Sequence, residues 1–304
     1  MTGQRTRRLR RCQLSTPASS DKMLVKAAAS DADFVFLDLE DAVAPKAKPA
    51  ARGNAVRALR ELDWGRKTCC LRVNALDTPY WLDDVIEVVT GARERLDVIM
   101  VPKVMRASDV RVFDAVLTQL ERKLGLEKRI GLDLLIEEVQ ALQNVEAIAT
   151  STPRVEALIF GMGDYSASQG IDILRQMQDP LYPGDIYHYA RFRLVMAARA
   201  AGLDAVDGPW VTFHDTEGFR TECLRVRSLG MAGKWAIHPS QIAIANAVFT
   251  PDPEAVAKAR RIAAAYAEAE ARGEGAVAID GMMQDAATVR LLGNTLALAD
   301  LLGM

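Results

Sequence analysis

The sequence predicts a single (β/α)8 TIM barrel with a C-terminal helical extension, on three observations. Short β-rich apolar runs alternate with longer amphipathic stretches, as in βαβ units feeding a parallel sheet. Eight such runs follow one another in 304 residues, and barrels routinely hold roughly 200 to 300 residues as one unit. Seven consecutive runs end in polar or glycine-rich clusters, which suits strand ends converging over an open mouth.

In order, the expected strands are Cys12 to Thr16, Phe34 to Leu39, Thr68 to Val73, Val98 to Val101, Ile130 to Ile136, Ala157 to Phe160, Asp204 to Val206 and Lys234 to Ile237. Between them, segments such as Pro49 to Leu62, Ser108 to Leu124 and Asp185 to Ala201 repeat apolar residues at three and four, the helical period. After the eighth strand come an Ala-rich helix from Pro251 to Arg272, a Gly-rich stretch from Gly273 to Gly281, and a last helix from about Asp285 to Leu302. Residues 1–250 are therefore expected to form the catalytic barrel and 251–304 an arm. Such an arm packs on a neighbouring subunit or caps its own barrel.

Composition narrows the class. Half the residues are hydrophobic, 26% are charged and the formal net charge is -2. That supplies a core and leaves no global field for nucleic acid. Cys12, Cys69, Cys70 and Cys223 form no CxxC pair or zinc-like cluster, so a reducing cytoplasm is expected. Arg5, Arg7, Arg8, Arg10 and Arg11 precede the first strand without an acid, but eleven residues are too few for a targeting segment. The ordered pattern is expected to begin at Cys12. No apolar run reaches bilayer length, and without a Walker loop or GxGxxG, nucleotide hydrolysis and hydride transfer are disfavoured.

The strand ends carry the chemistry. They read Asp38-Leu39-Glu40-Asp41, Arg72-Val73-Asn74, Pro102-Lys103, Glu137-Glu138, Gly161-Met162-Gly163-Asp164, Asp207-Gly208-Pro209-Trp210 and His238-Pro239. Mg²⁺ prefers oxygen ligands, takes one or two carboxylates and keeps water on its remaining positions. Glu137 and Asp164, on adjacent strand ends, are the candidate pair, with Gly163 and Asp164 lining the substrate side. Glu138 points away, because neighbouring strand residues face opposite sides. Of Glu40 and Asp41 only one can face the mouth, and Glu40 is favoured as a group holding metal-bound water. Arg72, inside an otherwise apolar strand, needs an anion: a substrate carboxylate, or a barrel acid in a structural ion pair. His238 is read as site-lining, whereas His188 and His214 are read as structural.

Taken together these residues resemble the citrate lyase β-chain-like group of the HpcH/HpaI aldolase/citrate lyase family. The resemblance covers nearly the whole chain. It runs from Arg11-Cys12-Gln13-Leu14 and Pro17 through Phe36-Leu37-Asp38-Leu39-Glu40-Asp41-Ala42-Val43, Leu71-Arg72-Val73-Asn74, Pro102-Lys103, Ile136-Glu137 and Gly161-Met162-Gly163-Asp164. It continues in Ala236-Ile237-His238-Pro239-Ser240-Gln241 and Asp280-Gly281-Met282-Met283-Gln284-Asp285. Tyr182-Pro183-Gly184-Asp185, Tyr187-His188-Tyr189-Ala190, Asp207-Gly208-Pro209-Trp210 and Gly233-Lys234-Trp235-Ala236 are similar to the malyl-CoA and β-methylmalyl-CoA lyase branch. The chain departs from the pattern where Glu138 and Ala141 follow Glu137, in place of Thr and a glycine, and where Cys12 replaces a small Ser.

What the resemblance implies is Mg²⁺, with Mn²⁺ as a substitute, at Glu137 and Asp164, and a carboxylate-binding role for Arg72. A catalytic Asp285 would arrive from the tail of an adjacent subunit in a homotrimer or homohexamer. The implied reaction splits a 3-hydroxyacyl-CoA into a 2-oxo acid such as glyoxylate and acetyl-CoA or propionyl-CoA. Coenzyme A in the substrate calls for basic groups, and Lys22, Arg11 and Lys103 are candidates for its phosphates. A malyl-CoA thioesterase, a citramalyl-CoA lyase, or a non-catalytic acyl-CoA-binding barrel are the alternatives.

Overall fold

A computed structural model of the protein describes residues 6–173, 182 and 184–304. Arg5 of the basic run and Pro183 of the Tyr-Pro-Gly-Asp string lie outside the described residues. The chain divides into two compact units, 1–246 and 247–304.

In the first unit, β1 (Cys12–Pro17), β2 (Phe34–Asp38), β3 (Thr68–Arg72), β4 (Val98–Val101), β5 (Gly131–Ile136), β6 (Val155–Phe160), β7 (Asp204–Asp207) and β8 (Gly233–Ala236) close into a parallel barrel. The helices α1 (Asp21–Ala28), α2 (Lys48–Glu61), α3 (Trp81–Ala92), α4 (Ala107–Leu124), α5 (Val139–Gln143), α6 (Val145–Ala149), α7 (Met162–Gln169), α8 (His188–Ala200), α9 (Thr216–Ser228) and α10 (Ile242–Phe249) connect or follow the strands. Among the described residues, no helix is long and apolar enough to cross a membrane.

Phe34, Phe36, Cys70, Val98, Met100, Leu135, Ile159, Val206 and Trp235 fill the interior as one buried cluster. The period of two then fixes what faces inward at the strand ends. Asp38 continues Phe34 and Phe36, Arg72 continues Cys70, and Glu137 continues Leu135.

The expected strand spans hold to within a residue or two, and the deviations have local causes. β8 stops at Ala236 because the Ile237 amide leaves the ladder and donates to Gln241 Oε1 at 2.8 Å. The helix expected from Asp185 starts at His188, since the Asp185 carboxylate accepts the Tyr187 amide at 2.9 Å.

The arginine run corrects the expectation that order begins at Cys12. Arg10 is buried at the amino-terminal end of the barrel among Asp133, Glu156 at 3.1 Å and Asp204 at 3.3 Å. Arg8 reaches Glu156 at 2.6 Å. A Cβ on Gly233 would lie 1.6 Å from the Arg10 carbonyl oxygen, so only glycine lets this segment cross β8. Buried guanidiniums need paired acids, and here the acids are strand residues far apart in sequence.

The second unit contains α11 (Pro253–Ala271), β9 (Ala276–Ile279), β10 (Met282–Asp285) and α12 (Ala286–Leu302). The stretch read as merely Gly-rich is an antiparallel hairpin in which Ile279 pairs with Met282. Asp280 (φ 52°) and Gly281 (φ 74°) form its two-residue turn, and Asp-Gly between short β runs was the sequence signal for it. Asp252 caps α11 and Asp285 caps α12 through its side chain.

Candidate active site

Parallel pairing puts Asp38 of β2 beside Arg72 of β3 in register. The Arg72 guanidinium donates to both oxygens of Asp38, at 2.8 and 2.5 Å, while its Nη1 lies 3.0 Å from Glu40 Oε2. Its cation also lies 5.6 Å from the Trp235 ring centroid and 5.8 Å from that of Phe36. Arg72 is 8% exposed and Asp38 fully buried, so the fork is aimed by a bidentate pair with low conformational freedom. Of the two anions the sequence left open for Arg72, the barrel acids occupy it here.

Glu40 is turned into the mouth and Asp41 is exposed. Both Glu40 oxygens are buried, Oε2 lying 3.0 Å from Arg72 Nη1 and Oε1 3.1 Å from Lys103 Nζ. Burial raises the Glu40 carboxyl above its usual range against the pull of Arg72, and Asp41 adds to the rise.

Glu137, 2% exposed, accepts the Lys103 amide on Oε1 at 2.8 Å. Its carboxyl is pushed up to about 8, first by burial and then by Glu40, with the Lys103 amide pulling the other way and Asp164 adding to the rise. Asp164 sits half-buried in the first turn of α7. A Cβ on Gly161 would lie 2.5 Å from Glu137 Cβ and Oε2, so the glycine between β6 and α7 makes room for the acid.

A layer behind the mouth holds these loops, and sequence reasoning missed most of it. Lys48 donates to the carbonyls of Leu39 and Glu40, both at 2.8 Å, and to Asn74 Oδ1 at 2.6 Å. Asn74 in turn donates to Asp84, which Arg52 also holds at 2.7 Å. On the far side, Asp207 pairs with Lys234 of β8 and, through two bonds at 2.9 and 3.1 Å, with Arg191 of α8. Arg191 also meets Glu222, and Asp185 at 2.8 Å. Lys48, Arg52, Asp84 and Arg191 look like ordinary helix residues in one dimension, and only their burial reveals them.

The remaining expected residues separate. Lys22 is exposed in α1 after β1, and Gly163 is exposed beside Asp164. Lys103 Nζ faces Glu40 and, at 3.8 Å, Asp41, and so is engaged by acids. Arg11 does not join the mouth: it precedes β1, at the opposite end of the barrel, and pairs with Asp33 at 2.6 Å. The expectation that Arg11 meets coenzyme A phosphates is thereby corrected, because the strand direction carries it to the closed end. His238 is exposed, caps the turn Pro239–Gln241 and stacks on Phe213 at 4.8 Å. His188 and His214 are exposed and lie against Phe192 and Phe213. Asp285 belongs to the second unit, where Thr288 donates to it at 3.0 Å and holds its carboxyl below the usual range.

The donor set fits a divalent cation. At the mouth the carboxyls of Glu137 and Asp164 stand near Glu40, with Arg72 and Lys103 as the neighbouring cations. The repulsion by Glu40 and Asp164 that helps push the Glu137 carboxyl up is what a divalent ion would offset. Among the described residues no group of three or more His, Cys, Asp or Glu side chains is placed to hold a metal ion, whereas Mg²⁺ takes one or two carboxylates and fills its remaining positions with water and substrate.

A family model described as HpcH/HpaI aldolase/citrate lyase matches residues 11–239. The chain is 45% identical over 293 residues to the L-malyl-CoA/β-methylmalyl-CoA lyase of Rhodobacter capsulatus, covering 93% of this chain and 92% of that one. It is 34% identical over 291 residues to the (3S)-malyl-CoA thioesterase of Cereibacter sphaeroides, covering 95% and 94%. Among solved structures, it is similar to the protein CitE from Mycobacterium tuberculosis in complex with magnesium, acetoacetate and coenzyme A. That match has a TM-score of 0.71 and 29% identity, covering 95% of this chain and 97% of that one.

Proposed function

The chain belongs to the HpcH/HpaI aldolase/citrate lyase family, and from that membership we propose that it is a Mg²⁺-dependent carbon–carbon lyase. It cleaves a malyl-CoA-like 3-hydroxyacyl-CoA into glyoxylate and acetyl-CoA or propionyl-CoA, or forms it by the reverse Claisen-type condensation. The observation that carries this reading is the mouth itself, where Glu137 and Asp164 from adjacent strand ends gather with Glu40 beside the cations Arg72 and Lys103.

Glu137 and Asp164 would hold the Mg²⁺, which when bound supplies a Lewis acid for the substrate hydroxyl and the carbonyl it becomes. Arg72, fixed by Asp38, orients the substrate carboxylate. Glu40 would order water beside Glu137 and receive, through that water, the proton that leaves the substrate hydroxyl. As the carbon–carbon bond breaks, its electron pair passes to the thioester enolate. Asp285 of a neighbouring copy, in its acid form, gives a proton to that α-carbon, and in condensation its carboxylate removes one. The arm from residue 251 onward would deliver Asp285 within a homotrimer or homohexamer. Mn²⁺ would substitute for Mg²⁺, and the four buried free cysteines accord with a cytoplasmic setting.

The test is incubation with malyl-CoA and Mg²⁺, following glyoxylate and acetyl-CoA separately beside a Glu137→Ala control. Joint appearance of both products, lost in the variant, supports the lyase. The 34% identical thioesterase favours one second reading, for which free CoA and malate would appear without glyoxylate.

A further inference from the structure

We propose that Lys103 is a positioning residue that holds Glu137 with its backbone and Glu40 with its side chain, and is not a phosphate contact for coenzyme A. The proposal rests on the lyase reading above for the roles of those two acids. Among the described residues Lys103 is one of three non-glycine positions with positive φ, at 50°, and of the two in the first unit, Arg93 and Lys103, only Lys103 follows the carboxyl end of a strand. A left-handed backbone is disfavoured for a residue with a Cβ and persists where the surroundings enforce it.

Here the conformation turns the chain off the end of β4, so that the Lys103 N–H points at Glu137 Oε1 at 2.8 Å. The ammonium of the same residue lies 3.1 Å from Glu40 Oε1 and 3.8 Å from Asp41 Oδ1. Two acids that repel one another are thus gripped by one residue through two different groups. A lysine engaged in this way sets where each carboxylate stands and partly offsets the charge that a cation at Glu137 and Asp164 would meet.

Three variants separate the grips. Lys103→Gly keeps the amide and the left-handed backbone without steric cost but removes the ammonium. Lys103→Met removes the ammonium and keeps the strain, and Lys103→Arg keeps a cation. In calorimetric titration with Mg²⁺, Gly and Met variants are expected to bind about three- to tenfold more tightly than the parent, because a like charge has gone. Arg is expected to stay within about twofold of the parent. In turnover of malyl-CoA, kcat should fall about ten- to a hundredfold in Gly and Met with KM within about threefold, and recover partly in Arg. Lys103→Gly should melt above Lys103→Met.

A KM raised about tenfold with kcat and Mg²⁺ affinity unchanged would overturn the proposal in favour of a phosphate contact. Unchanged values throughout would reduce Lys103 to a solvated side chain. If the parent turns over no malyl-CoA, the lyase reading fails while the Mg²⁺ titration and melting curves still decide Lys103.

Discussion

Gly161 and Glu137 occupy the same space: a methyl group on the glycine would stand 2.5 Å from both Cβ and Oε2 of the acid. The acid follows β5 and the glycine follows β6, so the barrel closes with one residue reduced to backbone to let the other face inward. Gly161→Ala is expected to displace the carboxylate and cost about 1–3 kcal/mol of stability. Mg²⁺ affinity should fall at least about tenfold, as a misplaced ligand loses its geometry. Urea unfolding and Mg²⁺ calorimetry check it, and unchanged affinity would show that the carboxylate is not a ligand.

Glu137 should also give the metal-free protein a pH-dependent stability. An unfolded glutamate titrates near roughly 4.3, whereas here burial and Glu40 push the carboxyl up to about 8. Between those values the native state binds a proton that the unfolded state has released, so stability falls as pH rises through the window and levels off above it. At about 1.4 kcal/mol per pH unit, a loss of about 2–4 kcal/mol is expected. Asp133, pushed up to about 6, contributes only to the lower part. Melting curves in chelator from pH 6 to 9 test Glu137: the slope should shrink markedly in Glu137→Gln, leaving the smaller contributions of Asp133 and Glu40, and flatten with Mg²⁺. A slope in the variant as steep as the parent's would falsify the assignment.

Arg72 and lysine are not interchangeable at this position. Arg72→Lys loses the fork that holds both Asp38 oxygens and leaves a fully buried acid incompletely paired. A loss of about 2–4 kcal/mol is expected, together with a fall in kcat/KM of at least about a hundredfold. Chemical denaturation and steady-state kinetics measure the two effects separately, and near-parental kinetics would remove Arg72 from substrate binding.

At the opposite end, Arg10→Met should be purely structural. It strips the partner from Asp133 and weakens the hold on Glu156, costing about 3–5 kcal/mol. KM for the acyl-CoA should not move. A changed KM at a temperature where the variant is fully folded would mean that the closed end communicates with the mouth.

Subunit mixing tests the arm. Asp285→Ala alone should abolish turnover while leaving Mg²⁺ binding intact, because it changes no group in the first unit. If Asp285 acts on a neighbour's barrel, refolding Asp285→Ala together with inactive Glu137→Ala should regenerate intact sites with a probability of about a quarter. Recovered glyoxylate production shows delivery between copies. Two inactive variants that stay inactive when mixed would assign Asp285 to its own chain.

What was legible in the sequence came from periodicity and strand ends. Alternating apolar runs announced the barrel, and the alternation of strand side chains already separated the aim of Glu138 from that of Glu137. Asp280-Gly281 carried a hairpin signal that a reading weighted toward glycine content overlooked. Lys48, Asp84, Arg191 and Lys234 were not legible, because a charged residue in a helical or strand pattern looks solvated until other elements cover it.

The sequence by itself determined the number and order of the barrel elements and which residue types gather at their carboxyl ends, since both follow from local period and chain direction. Only the tertiary structure decided partnership: that Arg72 is held by Asp38, that Lys103 joins Glu40 to Glu137, that Gly161 yields its side chain to an acid on another strand, and that Arg11 lies at the wrong end for substrate. The physical reason is that ion pairs and close packing depend on which side chains closure of the sheet brings within a few ångströms of each other, and those residues lie tens of positions apart in the chain.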